Sequence, residues 1–246
     1  MDLGAETAET FTAYGTSHQV ALGILVVGAV GLVAVGRATR DPDRGDRVGK
    51  GMAVAMVGMT IPLQILYFTP SHWNLQTTLP IQLCDLGSFV AAYALWTHRP
   101  WAVGLTYYWG LTLATQALIT PDVSSVFPSP MFLLYWGMHM AIVWAAVYLT
   151  WGAGQAPTWH TYRTSLVITA VWGVVTFAFN LAVGTNYGYL NEKPKSATIL
   201  DLLGEWPTYL VAEVVILAVV WALTTWPWVA LVERRRVAHE VLEDRS

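Results

Sequence analysis

Cysteine occurs once in this chain, at position 84. A single thiol excludes an internal disulfide and any zinc site built from several thiolates. Charge is scarce as well: 12% of the residues are Asp, Glu, Lys or Arg, about half the roughly 25% usual in a soluble domain. That shortage excludes an ordinary water-exposed surface. The net charge of −3 is close to neutral and itself says nothing about nucleic acid; no nucleic-acid partner is expected. The opening residues, "MDLGAETAETF", lack the positive charge of a secretory leader, and no small-residue cleavage site follows the first apolar run. That run is expected to remain as a membrane helix. Internal repeats, low-complexity tracts and an HExxH zinc motif are also missing.

What is present is apolar and aromatic. Hydrophobic residues make up 55% of the chain, with 13 Trp and 11 Tyr, a composition suited to aromatic belts at the two bilayer surfaces. Crossing the hydrocarbon core takes about 20 mostly apolar residues per helix. Seven segments qualify: 18–36, 51–69, 80–97, 101–120, 131–151, 164–183 and 207–232. The expectation is an all-α, polytopic membrane protein of one domain, a bundle of seven transmembrane helices. Lys and Arg resist translocation, and the thirteen of them divide eleven to two between alternate ends of these segments. The two exceptions are Lys193 and Lys195. This split predicts a multi-pass protein of the cell membrane with its N-terminus outside and its C-terminus in the cytoplasm. Seven helices in that orientation invite comparison with retinal pigments. The segment from Pro207 to Val232 has no lysine for a Schiff base, which excludes a microbial-type pigment.

Polar side chains inside a membrane are costly and tend to mark function. Here they are His18, Gln64, Gln82, Asp85, Gln116, His139, Asn180 and Glu213, with Cys84 beside them. In the predicted topology all fall in the outer halves of their helices, which suggests one polar cavity opening outward. The competing account for the amides is hydrogen bonding between helices. Two loops on the same side add polar groups: "ITPDVSSVFPSP" carries Asp122, and "GTNYGYLNEKPKSATILDLLGEWPTYL" carries Asn186, Tyr187, Lys193, Asp201 and Trp206. Loops of this composition are candidate lids or binding elements, or solvated connectors with turn residues. Gln64, Gln116, Asp122, Asn186, Tyr187, Lys193, Asp201 and Glu213 are the candidates for substrate binding.

Cysteine chemistry requires the thiolate, and therefore a base. His139, eight residues past Met131, is the deepest histidine on the outer side and the best candidate. His18 and His72 lie nearer the surface; His98, His160 and His239 fall on the inner side. Asp85 points about 100° away from Cys84 on a helix and helps the thiol only by orienting a histidine. The plainer account of Cys84 is a small packed residue. Cys84, Asp85, His139 and His18 offer mixed metal ligands without any recognised spacing, so neither a metal nor another cofactor is expected.

The stretches "LPIQLCDLGSF", "QALITPDVSSVFP", the following His139, and "GTNYGYLNEKPKSATILDLLGEWPTYL" together resemble the YwaF-type bacterial integral membrane proteins. These are related to the eukaryotic transmembrane-protein-164 group, regarded as integral membrane acyltransferases. The resemblance implies a cysteine active centre that moves fatty acyl chains between phospholipids, with phospholipid and lysophospholipid as partners. Carried over by position, the nucleophile matches Cys84 in "QLCD", with His139 as its companion. The family's "GPWPWY"-like motif reads "GEWPTY" here, departing at Glu205 and Thr208. The alternative is a receptor or transporter binding a small ligand or lipid headgroup in the same cavity. Without a repeat or a midplane charge, transport is its weaker form.

Overall fold

A computed structural model describes residues 11–39, 42–121, 125–194 and 199–243. Seven helices account for most of these, and there is no strand among the described residues. We label them α1 (Thr16–Ala38), α2 (Pro42–Tyr67), α3 (Leu83–Thr97), α4 (100–119), α5 (Pro130–Gly152), α6 (Trp159–Val183) and α7 (Thr208–Glu243). Five of them, α1, α2, α5, α6 and α7, are long and apolar enough to cross a membrane. The fifteen residues of α3 reach only about 22 Å at 1.5 Å per residue, short of a hydrocarbon core of about 30 Å. Non-helical turns over 78–82 precede it.

The expected boundaries shift where charge or geometry overrides hydropathy. The basic stretch after α1 was expected to be a connection, yet helix begins at Pro42. Proline suits a first helical position, Asp43 lies in the first turn, and Lys50 pairs with Asp46 at 2.7 Å, one turn away. Such pairs at i,i+4 support helix without apolar content. α4 loses regular spacing at a π-helical stretch, Trp109–Ala114, where the Thr115 hydroxyl donates to the Gly110 carbonyl at 2.9 Å. α5 closes with another, Tyr148–Gly152.

Successive helices alternate in direction. His18 Nε2 bonds the Leu118 carbonyl at 2.8 Å and Tyr14 donates to Ile119, joining the start of α1 to the end of α4. The α2–α3 connection meets the end of α6 where Gln76 donates to the Gly184 carbonyl at 2.9 Å. We call the end where α1 begins the upper end. At the lower end Arg37 reaches the Trp151 carbonyl and Gln155 bonds His98. α5 is the central helix, 67% buried over its apolar window against 11% for α1, α6 and α7. Those three turn valines such as Val27 and Val174 outward, more than 70% exposed, as lipid-facing helices do.

α1 lies close against α5. A Cβ added at Gly36 would fall 2.5 Å from Gly152 Cα, a backbone atom that no rotamer change can move. Small residues at helix crossings permit such approaches in membranes. Gly36→Val is therefore expected to destabilise the bundle by about 1–3 kcal/mol through overpacking. Thermal unfolding in detergent checks this, and an unchanged midpoint contradicts the packing.

Candidate functional site

The single thiol sits in the first turn of α3. Gln82 is the N-cap, in extended conformation, so Leu83, Cys84 and Asp85 open the helix. The sequence placed Cys84 about one turn inside a helix starting near Pro80. The turns over 78–82 move it to the first turn of the helix instead. Cys84 is half-buried against the core. Asp85 is 6% exposed, and the backbone N–H of Gln82 donates to its carboxylate. An acid three residues past the N-cap that bonds the N-cap N–H is one half of a capping box. Asp85 thus supports the helix start, and the Tyr67 hydroxyl stands close enough to interact with both Asp85 and Cys84.

His139 is 2% exposed in the middle of α5. Its Nδ1 bonds the Tyr135 carbonyl at 2.8 Å. A carbonyl accepts only, so Nδ1 carries the proton and Nε2 is left as the basic nitrogen. The orienting group expected from Asp85 is supplied by this carbonyl, and no hydrogen bond joins Asp85 to His139 among the described residues. Nor does one join Cys84 to His139. Their register is nevertheless close. α3 and α5 run in the same direction, and a Cβ added at Gly87 would lie 3.7 Å from Ile142 Cδ1. Cys84 is three residues above Gly87 and His139 three above Ile142, so each shares a face with a member of the contacting pair. His18 is committed elsewhere: Nδ1 accepts from the Tyr14 N–H at 2.8 Å while Nε2 donates to Leu118.

The loop between α6 and α7 folds over the start of α3. Gly188 N donates to Gln82 Oε1 at 2.9 Å, and Trp172 Nε1 donates to the Ile81 carbonyl at 2.9 Å. The Tyr187 hydroxyl donates to the Leu75 carbonyl at 2.6 Å and accepts from Leu79 N at 3.0 Å. Burial pushes the Tyr187 phenol above its ordinary pKa, which keeps that donor protonated. Gly188 has φ 69°, and a Cβ there would fall 2.4 Å from the Trp172 ring, so the position requires glycine. Asn180, 1% exposed, organises the loop from α6. Its Nδ2 donates to the Tyr187 carbonyl and Asn191 Oδ1, and its Oδ1 accepts from Thr185 Oγ1 and Tyr187 N, all at 2.9 Å.

The remaining sequence candidates divide. Asn186 holds its own loop by donating to the Glu192 carbonyl and accepting from Asn191 N. Lys193 pairs with Glu205 at 3.2 Å and Asp201 at 4.0 Å, within the segment that leads into α7. Gln116 and Glu213 are half-buried near the upper end, and neither side chain makes a hydrogen bond or ion pair among the described residues. The Gln64 amide is buried without a partner. Asp122 lies outside the described residues. Tyr67, Trp172 and the Tyr135 carbonyl belong to the site but escaped the sequence. A tyrosine ending α2, just before the connection to the cysteine-bearing helix, was the one readable signal among them.

Known proteins add one comparison. No curated protein and no solved structure matches the chain. The TMEM164 family model matches residues 13–225, from just before α1 to the middle of α7. The protein described here, multi-pass and built of apolar helices, belongs to the TMEM164 family.

Proposed function

We propose that this protein is a thiol-dependent acyltransferase acting on phospholipid acyl chains, with Cys84 as nucleophile and His139 as general base. The observation that carries the proposal is the close approach of Ile142 to the Gly87 position, where an added Cβ would lie 3.7 Å from Ile142 Cδ1, with Cys84 and His139 each about one turn above it. A further feature supports it: the tautomer of His139 leaves Nε2 to accept a proton. Family membership adds to these, since the group is regarded as membrane acyltransferases. With the N-terminus outside, the site faces the outer leaflet of the cell membrane.

Cys84 Sγ attacks the carbonyl carbon of a phospholipid ester as His139 Nε2 takes the thiol proton. The ester C–O bond breaks, and the departing glycerol oxygen receives that proton to leave a lysophospholipid. The thioester on Cys84 then meets an acceptor hydroxyl, whose oxygen takes the acyl group and whose proton returns to the thiolate through His139. No cofactor enters these steps.

The test is purified protein in vesicles with a labelled phospholipid donor and a lysophospholipid acceptor. Wild type is expected to transfer label. His139→Ala is expected to slow transfer by about a hundredfold to ten-thousandfold, the range for loss of a general base. Wild-type protein that binds lipid but never transfers label overturns the proposal in favour of a receptor. Full activity in His139→Ala overturns the role of the base.

A further inference from the structure

A thiol and a base do not complete an acyl transfer. When Cys84 Sγ bonds the ester carbon, the carbonyl oxygen becomes an oxyanion, a costly charge in apolar surroundings unless a donor meets it. The Asp85 carboxylate beside the thiol only accepts when ionised. His139 gives its one N–H to the Tyr135 carbonyl. The backbone N–H groups of Cys84 and Asp85 are directed at Sγ itself. The donor has to come from another side chain.

Several nearby hydroxyls are already committed. Tyr187 donates to the Leu75 carbonyl at 2.6 Å, Ser88 to the Asp85 carbonyl at 2.7 Å and Tyr135 to the Ala117 carbonyl at 3.2 Å. Tyr67 differs. Its hydroxyl stands within interaction range of both Cys84 and Asp85 and makes no hydrogen bond among the described residues. The side chain is half-buried, unlike the fully enclosed Tyr187, and an unpartnered phenol inside a membrane calls for an acceptor. The fold also holds it in place. α2 ends and α3 begins at the upper end, and Tyr67 and Cys84 pack on the same core cluster. Buried Thr78 donates to the Tyr67 carbonyl at 3.3 Å and accepts from Asn74 N at 2.9 Å, which pins the connection to the end of α2.

From this placement we infer that the Tyr67 hydroxyl is the oxyanion donor of the acyl transfer, a third catalytic residue beside Cys84 and His139. The role rests on the thiol chemistry proposed above. As the Sγ–C bond forms, the carbonyl π pair moves to oxygen, the thiol proton passes to His139 Nε2, and Tyr67 donates a hydrogen bond to the new oxyanion while keeping its own proton. On collapse the pair returns to the carbonyl, the C–O bond to glycerol breaks, and the departing oxygen takes the proton from His139. A donor already positioned for this oxygen needs no reorganisation as the charge develops.

The test compares wild type, Tyr67→Phe and Cys84→Ala, each full length in vesicles, with the labelled donor and the acceptor used above. Phe keeps the ring and removes only the hydroxyl. In Tyr67→Phe, kcat is expected to fall about a hundredfold to thousandfold, the loss for one oxyanion donor, with KM for the donor lipid and the melting midpoint unchanged. Alkylation of Cys84 by iodoacetamide, in which sulfur displaces iodide and no oxyanion forms, is expected to keep its wild-type rate. Cys84 is the only thiol, so that rate reports on it alone. Full transfer by Tyr67→Phe overturns the role of the hydroxyl. So does a loss of transfer matched by slowed alkylation, which places the hydroxyl on the thiol, or by a lowered melting midpoint, which makes it structural. Wild type that transfers nothing, or Cys84→Ala that transfers normally, overturns the thiol chemistry itself, and the role of Tyr67 falls with it.

Discussion

Cys84→Ala is expected to lower phospholipid acyl transfer by at least about a thousandfold, the scale of loss when a nucleophile is removed. The fold should barely register the change. Cys84 is half-buried at a helix start, packed against the core, with no hydrogen bond to another side chain among the described residues. Losing one sulfur from such a site costs about 1 kcal/mol or less. Activity and stability therefore separate: the variant melts near wild type and transfers nothing. Cys84→Ser should resemble Ala, because a hydroxyl at that position ionises far less readily than a thiol. The competing account, a small packed residue, predicts the reverse, with activity retained in both. Parallel melting curves and transfer assays distinguish the two.

The second large effect is structural. Asn180→Ala removes four hydrogen bonds from a residue that is 1% exposed. It leaves the Tyr187 N–H and the Thr185 hydroxyl buried without partners, at about 1–3 kcal/mol each. A loss on the order of 3–5 kcal/mol is expected. The damage should spread, because Tyr187 ties the loop to Leu75 and Leu79 and Gly188 ties it to Gln82. Limited proteolysis is expected to cut Asn180→Ala first within residues 184–206, before any helix. A variant as resistant as wild type, with an unchanged melting midpoint, contradicts this account of the loop. Thr185→Val, which removes one of the four bonds, should show a fraction of the same effect.

These two residues show what the sequence disclosed and what it hid. Hydropathy located all seven helices, because burying backbone in lipid requires helix and its apolar signal is strong. Hydropathy could not see that α2 begins at Pro42, since its first turns are held by charge pairs such as Asp46–Lys50. The π-helical stretches in α4 and α5 leave no mark in composition. The thiol and the histidine were identifiable as rare polar groups. The start of α3 was not, and that three-residue difference changes Cys84 from a residue within a helix to one at its N-terminus. Asn186 and Tyr187 drew attention as binding candidates because a loop of this composition suggests a ligand, and Asn180 as a polar residue within a membrane helix. In the fold their polar atoms are bonded to one another and to the α2–α3 connection. A sequence lists polar groups without saying which already have partners, and only the fold gives that pairing. Gln64 is the opposite case, a polar group whose missing partner becomes visible once its neighbours are placed.

The most direct measurement of the central claim is the mass of the protein after brief reaction with phospholipid in the absence of an acceptor. The account predicts one added acyl chain, released by neutral hydroxylamine as a thioester, mapped to Cys84 and absent from Cys84→Ala. Acyl transfer without any such adduct, or an adduct that survives hydroxylamine and maps to another residue, contradicts it.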